Sequence, residues 1–466
     1  MKPASKFNLL TGYALIFGLF LGLVIIKFGN PVILDQRIPP PASVDELISN
    51  FWPSHWAIWV WLPIALLGTG LIWQSKQRWP GTFWLWLLPL IWMGWQLLSA
   101  TRSVDPTLTA STLPQFIGCV GCYFLGAMLL GRQFLMRWLL AGILLAFTFC
   151  LIRAVDQRVF EFPQSYQVLV AGEGSGWTNM PPQMFLEMKQ ENIIVNSNGN
   201  DVVNPVILAK FAKNRVSGTL VYPNAMAGII LLLFPVSLAL AFKNTRNLKP
   251  LIRGTVIFMT IGLGGAAFIF TGSKLGWLLA MGLGGLMLFR LDWSTRLKWL
   301  ALVTIIVVGS GIFVVRFHKY FVAGATSTGA RLDYWHAAIQ TTEDQPLLGT
   351  GPGTFQRSYA RLKSPTAEMA RLTHSDYLEQ FSDSGLVGGA AYFAWIALAL
   401  FSSGRRIWRS GDYLSVALFG GVLAWFIQGF AEFSLYIPAL AWTVFTLMGC
   451  LIRLSENEFD KKPFIG

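Results

Sequence analysis

The sequence predicts an all-α polytopic membrane protein: about twelve transmembrane helices with two long, partly helical extracytoplasmic loops. Three observations lead there. Hydrophobic residues make up 54% of the 466 positions and charged residues only 13%, against about 25% charged in a soluble domain. Apolar runs near 18 residues long recur from end to end, each about the length a helix needs to cross the hydrocarbon core. Lys and Arg gather in alternate connections, as they do on the cytoplasmic side of membrane proteins. This pattern excludes a secreted globular enzyme, a disordered tail protein and a cytosolic nucleic-acid binder. The net charge of +13 is accounted for by cytoplasmic loops, and no nucleic-acid partner is expected.

The elements follow in chain order. The first span, 9–28, comes after Lys2 and Lys6 and is followed by no small-residue cleavage site, so it reads as an uncleaved signal anchor. Spans at 55–73, 82–99, 113–130 and 135–152 complete an N-terminal group over 1–152. A loop at 153–221 separates it from a second group over 222–316, with spans at 222–242, 254–271, 275–290 and 299–316. A second loop, 317–384, precedes spans at 385–402, 412–430 and 436–452 and a tail, together 385–466. Cys119 and Cys122 form a CxxC inside an apolar span with no partner pair; four cysteines give no disulfide framework, and these two read as buried thiols.

Charge sets the orientation. With the N-terminus inside, the cytoplasmic segments hold nineteen cations: Lys2, Lys6, Lys76, Arg78, Arg132, Arg137, Lys243, Arg246, Lys249, Arg253, Arg290, Arg296, Lys298, Arg405, Arg406, Arg409, Arg453, Lys461 and Lys462. The short loops opposite hold four: Lys27, Arg37, Arg102 and Lys274. Both ends are therefore expected in the cytoplasm, with membrane lipid around the spans and both long loops facing out. Those loops far exceed the usual 2–8 residues between bundled helices. They carry aromatics, Gly and Pro and helical stretches at 181–191 and 331–341. All four histidines, His55, His318, His336 and His374, fall on the outer side. No internal repeat is visible, so an inverted-repeat transporter plan gains no support.

The outer side also holds the candidate chemistry. Thr373 to Asp376 has the [ST]xx[DE] spacing of a capping box, which predicts a helix starting there with His374 in its first turn. The positive helix end disfavours imidazolium, and a neutral imidazole can accept a proton. The plain alternative is a polar helix-start residue at the membrane surface. Arg215 lies in KNRVSGTLVYPNAMAG before the sixth span, Lys274 in the tight turn TGSKLGWL, and Arg331 in TGARLDYW. Lys274 runs against the positive-inside bias; it either snorkels toward headgroups or binds a phosphate presented from the membrane. Arg331 has a plainer reading as the ion-pair partner of Asp333 or Glu343. GTGPGTF (349–355) lacks the Lys-Ser/Thr and the βαβ setting of a phosphate loop, so Gly349, Gly351 and Gly353 read as turn formers. No metal-ligand spacing stands out; His374 and Asp376, two apart, do not share a helix face. Tyr334, Trp335, Trp177 and Tyr377 are candidates to stack on sugar faces, though aromatics also populate membrane interfaces in general.

Together these segments resemble the O-antigen ligase / O-antigen polymerase superfamily. The resemblance rests on R-x-x-G followed by Y-P-N-A-x-A (Arg215, Gly218, Tyr222 to Ala227) and on G-S-K-L-G-W (272–277). It rests further on G-A-R-L-x-x-W followed by Q-P-L-L-G-T-G-P-G-T-F (329–355) and on H-S-D-Y-L-E-Q-F-S-D-S-G-L (374–386). It covers about 215–390 well and the rest loosely. The resemblance implies a glycosyltransferase of the bacterial inner membrane whose site faces the periplasm. Its donor would be a glycan on undecaprenyl diphosphate; its acceptor, a lipid A core, a second lipid-linked glycan or a protein. His374 would be the catalytic base. Arg215 and position 274 would hold the diphosphate, here with Lys274 where Arg is usual, which keeps the charge and loses the bidentate fork. Asn224, Arg331, Trp335 and Tyr377 are read as substrate-binding positions. Fixed cations would do the work of a divalent metal, so neither metal nor cofactor is expected. Two other classes stay open at this point: a transporter or flippase for lipid-linked glycan, which would place ionisable groups inside the spans, and a catalytically silent scaffold of polysaccharide export.

Overall fold

Every apolar run picked out above is helical. The computed structural model describes residues 9–75, 78–197, 199–322, 326–365, 367–410 and 412–459. Lys2, Lys6, Lys76, Lys461 and Lys462 of the charge pattern lie outside them. The helices are α1 Leu9–Lys27, α2 Val44–Ser49, α3 Ser54–Ser75, α4 Trp84–Ala100, α5 Pro106–Leu125, α6 Gln133–Asp156, α7 Phe162–Gly174, α8 Pro182–Gln190 and α9 Pro205–Lys213. They continue as α10 Pro223–Asn244, α11 Pro250–Thr271, α12 Lys274–Leu288, α13 Thr295–Val322, α14 Thr326–Asp344, α15 Phe355–Leu362, α16 Asp376–Ser410, α17 Tyr413–Gln428 and α18 Pro438–Phe459. Among the described residues nine helices are long and apolar enough to cross a membrane. The other three expected spans are occupied by the shorter apolar helices α4, α12 and α17, so twelve crossings remain a proposal.

Local chemistry sets the helix ends. Asp105 caps α5, its carboxylate accepting from Thr107 N and Leu108 N, with Pro106 in the first turn, where a missing N–H costs nothing. Ser273 caps α12 by accepting from Gly276 N, and Gly272 closes α11 in the left-handed conformation at φ 57°. Inside a bilayer such complete use of backbone groups is obligatory.

The bundle is organised around α18. Of its apolar window 94% is buried, against 6% for α13, which lies at the lipid-facing edge. Trp442 of α18 fits against Gly118 of α5, where an added Cβ would sit 2.4 Å from the indole. Helices α1 and α6 meet backbone to backbone. A Cβ at Gly142 would lie 2.3 Å from the carbonyl carbon of Gly18, and one at Gly18 would lie 2.3 Å from Leu139 O. Small residues permit this approach, the usual device where lipid removes the hydrophobic drive for helix pairing. Gly142→Val is therefore expected to destabilise the protein by about 1–3 kcal/mol or more, read as a lower melting temperature in detergent. Gly70→Ala, with no atom within 4 Å of its Cβ, should show no loss. Cys119, Cys122, Cys150 and Cys450 are all free and buried, as the lone CxxC suggested.

Both long loops are partly helical. The expected stretches at 181–191 and 331–341 fall in α8 and within α14. Two features depart from the sequence reading. The fifth span does not stop at 152; with a π-turn over Gln157–Glu161 it runs on into α7, one helix from Gln133 to Gly174. The same loop also holds a small antiparallel hairpin, β1 Ile194–Ser197 with β2 Asn200–Val203. Leu169, Trp177, Ile194 and Val203 form its own small core.

The second loop is locked onto the bundle by its glycine turn. Gly349, Gly351 and Gly353 have φ of 62°, 105° and 75°, a region that favours glycine. Thr350 N donates to Ser382 O (3.1 Å), Gly351 N to Asp383 O (2.9 Å) and Gly353 N to Asp383 Oδ2 (2.6 Å). The turn thus seats on α16 just before its kink at Ser384 and Gly385. As expected, the three glycines form a turn.

Candidate functional site

The connections that bear the long loops converge at one end of the bundle. Val221 N donates to Gly29 O, Val216 N to Phe270 O, and Asp376 N to both Gly429 O and Glu432 O. This weave brings residues far apart in sequence into one constellation.

Arg215 is fixed from two sides. Its Nε donates to Thr271 O (2.8 Å) and its Nη2 to Asn224 Oδ1 (3.0 Å). Burial holds the guanidinium below its ordinary value, while Glu432 pulls it up and Arg331 pushes it down. Thr271 ends α11, so the first of these bonds ties Arg215 to the turn that carries Lys274. Lys274 opens α12, with its Nζ 3.8 Å from the centre of the Tyr320 ring, and it is repelled by Arg215 and Arg331. Two cations and a helix N-terminus therefore face one corner, a setting that attracts an anion. An open cavity of about 490 Å³ adjoins it, lined by Lys210, Lys213, Arg215, Ser217, Val221 and Pro223.

The hub of the constellation is Glu432, which the sequence reading did not single out. Its side chain is 1% exposed. Oε1 accepts from Arg331 Nη2 (2.6 Å) and Asn224 Nδ2 (2.7 Å), and Oε2 from the Tyr222 hydroxyl (3.2 Å). A buried carboxylate is tolerable only when paired and hydrogen-bonded in this way. Burial, reinforced by Glu432, pushes the Tyr222 phenol up, consistent with its place as donor. Arg331 therefore pairs with Glu432, and not with Asp333 or Glu343. In the sequence it is a single acid in the short turn between the last two apolar runs, with no motif to mark it.

His374 completes the group. Its Nδ1 lies 3.8 Å from Glu432 Oε2. The imidazole lies between the Tyr334 ring, stacked at 5.9 Å, and the Phe433 edge at 4.7 Å. The expected first-turn position is corrected. Helix α16 begins at Asp376, and Ser375 caps it by accepting from Leu378 N. Thr373 instead closes a local turn, its Oγ1 accepting from Ser375 N and donating to Ser375 O. His374 thus stands outside the helix at φ 54°. A non-glycine residue there stores strain that the surrounding structure must hold, a feature concentrated at functional sites.

The structure thus brings together Arg215, Asn224, Lys274, Arg331 and His374. Asn224 is spent on Arg215 and Glu432 and acts as a bridge between them. Tyr377 is corrected: it is 6% exposed, its hydroxyl donates to Phe426 O (3.1 Å), and Phe430 stacks on it at 4.2 Å. The ring is packed inside the bundle. Trp177 is 7% exposed, and its indole N–H donates to Asp201 O inside the first loop. Trp335 packs on the second loop's own core beside Tyr334 and Phe355, and among the described residues no hydrogen bond or cation–ring contact ties it to the cations.

Comparison with known families bears on this geometry. Residues 257–393 match the family model described as O-antigen ligase, and the superfamily resemblance seen in the motifs is borne out over that stretch, less than a third of the chain. It takes in Lys274, Arg331 and His374 and leaves Arg215, Asn224 and Glu432 outside. Among curated proteins no match was found. The chain is a multi-pass membrane protein by its apolar helices, and a stretch of its C-terminal half, 257–393, is similar to the O-antigen ligase family.

Proposed function

With an O-antigen ligase segment as premise, we propose that this protein is an inner-membrane glycosyltransferase. It moves a glycan from undecaprenyl diphosphate to an acceptor hydroxyl on the periplasmic face. The acceptor is a lipid A core, a second lipid-linked glycan or a protein. The chain crosses the membrane twelve times with both ends in the cytoplasm, so the site faces the periplasm. One observation carries the reading: a continuous chain of contacts joins Arg215, Asn224, Glu432 and His374, with Lys274 beside Arg215 at the start of α12.

The chemistry divides across that chain. Arg215 and Lys274 stabilise the charge that grows on the departing diphosphate, a contribution commonly worth several kcal/mol in a preorganised site. His374 takes the acceptor's proton while the acceptor oxygen attacks the anomeric carbon, with inversion. The glycosyl diphosphate is already activated, so no nucleotide is required, and fixed cations stand where a divalent metal otherwise would.

Removing the gene from its native host and restoring it tests the reading. Profiling the lipid-linked glycans together with the finished surface glycan should show a loss of the latter and a build-up on the carrier. Single repeat units on the carrier mean a polymerase; long stranded chains mean a ligase. Unchanged pools would sink the proposal.

A further inference from the structure

We propose that Glu432 is a positioning residue for His374: it holds the imidazole with its proton on Nδ1 and leaves Nε2 bare for the acceptor hydroxyl. The catalytic part of this rests on the transferase reading above; the tautomer does not.

Three observations carry it. First, His374 Nδ1 is buried and, among the described residues, has no hydrogen-bond partner, while the side chain as a whole is 31% exposed. The solvent-facing part of the ring is thus away from Nδ1. Second, the acid facing Nδ1 is Glu432, with Oε2 at 3.8 Å. That is beyond hydrogen-bond range, but catalytic bonds of this kind commonly tighten when substrate arrives. Asp376, though near in sequence, holds Leu435 N with its Oδ1 (3.0 Å) and makes no ion pair with His374 among the described residues. Third, the carboxylate is itself oriented. Oε1 is occupied by Arg331 and Asn224, so Oε2 is the oxygen turned toward the imidazole and the Tyr222 hydroxyl.

A carboxylate can only accept, so it selects Nδ1–H on the ring. In the reaction the acceptor oxygen bonds to the anomeric carbon. The bond from that carbon to the diphosphate oxygen breaks, its electron pair leaving with the diphosphate. The hydroxyl proton passes to Nε2, and Nδ1–H stays directed at Glu432, which stabilises the imidazolium formed.

The arrangement makes Glu432→Gln a sharp test. Arg331 and Asn224 both donate to the Oε1 position, so the amide oxygen must sit there. The amide NH₂ then takes the Oε2 position and donates toward Nδ1. That forces the proton onto Nε2 and removes the base. A comparable Asp→Asn change in the serine-protease triad costs about 10⁴-fold in kcat through the wrong tautomer. Here kcat for the host's own lipid-linked glycan, assayed in membrane vesicles, should fall at least about 100-fold with KM little changed. Glu432→Asp, which keeps an acceptor, should restore part of kcat.

The deciding readout is independent of activity. Full-length protein with ¹⁵N-labelled histidine in detergent micelles is recorded near pH 8, where an ordinary imidazole is neutral. His374→Asn identifies the His374 signals. The expected result is Nδ1–H in the wild type and in Glu432→Asp, and Nε2–H in Glu432→Gln. An Nε2–H wild type overturns the proposal even if Glu432→Gln fails to fold, as does a Glu432→Gln protein that keeps both tautomer and kcat. If the tautomer switches as expected while wild-type vesicles transfer no glycan, positioning stands and the transferase reading falls; transfer left intact by His374→Asn overturns the base role of His374 and with it the catalytic part of the proposal.

Discussion

Replacing His374 with Ala or Asn is expected to lower glycan transfer by about 10²–10⁴-fold, the usual contribution of a positioned general base. The choice of two variants follows from the backbone. His374 sits at φ 54°, where Ala carries a strain cost of about 1–3 kcal/mol and Asn is far better tolerated. A loss in Ala alone would report backbone distortion; an equal loss in both reports the imidazole. Neither change removes a hydrogen bond that holds the loop. Thr373 and Ser375 make the local turn, and Glu379 Oε2 accepts from Thr373 N at 2.6 Å. The His374→Asn protein should therefore melt close to wild type in detergent. Transfer by membrane vesicles charged with the host's lipid-linked glycan is the measurement. Activity within tenfold of wild type in the Asn variant would remove His374 from the base role.

How much was legible in the sequence depended on what kind of information each feature carries. Spans were legible because lipid demands a run of apolar residues for each crossing, and each run is local. The limits were not: α6 runs past 152 because its continuation, amphipathic and half polar, is helical without being hydrophobic, so hydropathy stops before the helix does. The hairpin at 194–203 was written in the sequence as Asn198-Gly199 between two Val-rich arms, a turn signal overshadowed by the helical character of everything around it. Lys274 was visible because a cation in a short turn runs against the expected charge bias, Arg215 because it flanks the end of an apolar run, and His374 because of the Thr373 to Asp376 spacing. Glu432 breaks no rule when seen alone. Its burial at 1% exposure and its three donors exist only once α10, α14 and the 429–437 turn are packed together. The cap at Ser375 was misplaced for a similar reason: Thr373, Ser375 and Asp376 all offer capping chemistry, and tertiary contacts at Gly429 and Glu432 choose among them. Tyr377 has the same character, an aromatic whose partners, Phe426 and Phe430, come from another helix and its end.

The two cations are expected to respond differently to exchange, and that difference tests their division of labour. Arg215 uses Nε and one Nη2 hydrogen on Thr271 O and Asn224 Oδ1. This leaves Nη1 and the second Nη2 hydrogen to meet a diphosphate. Lys cannot reproduce both anchors and still present a charge at the same point. Arg215→Lys should therefore behave almost like Arg215→Ala, each lowering kcat by about 10²–10³-fold. Arg215→Ala also frees Asn224 Oδ1 and takes a positive charge away from Glu432, so part of its loss will be structural. Among the described residues Lys274 is anchored by the Tyr320 and Phe317 rings, which any cation can satisfy. Lys274→Ala should cost a similar factor, while Lys274→Arg should match or exceed wild type, because a guanidinium adds a two-pronged contact to phosphate without giving up the aromatic one. The four variants compared for kcat in the same vesicle assay would show an asymmetric pattern: Arg to Lys disabling, Lys to Arg tolerated. Equal tolerance at both positions would mean that only net charge matters and that the anchoring of Arg215 is incidental. Indifference of activity to Lys274→Ala would assign Lys274 to headgroup contact and leave Arg215 as the sole diphosphate ligand of the pair.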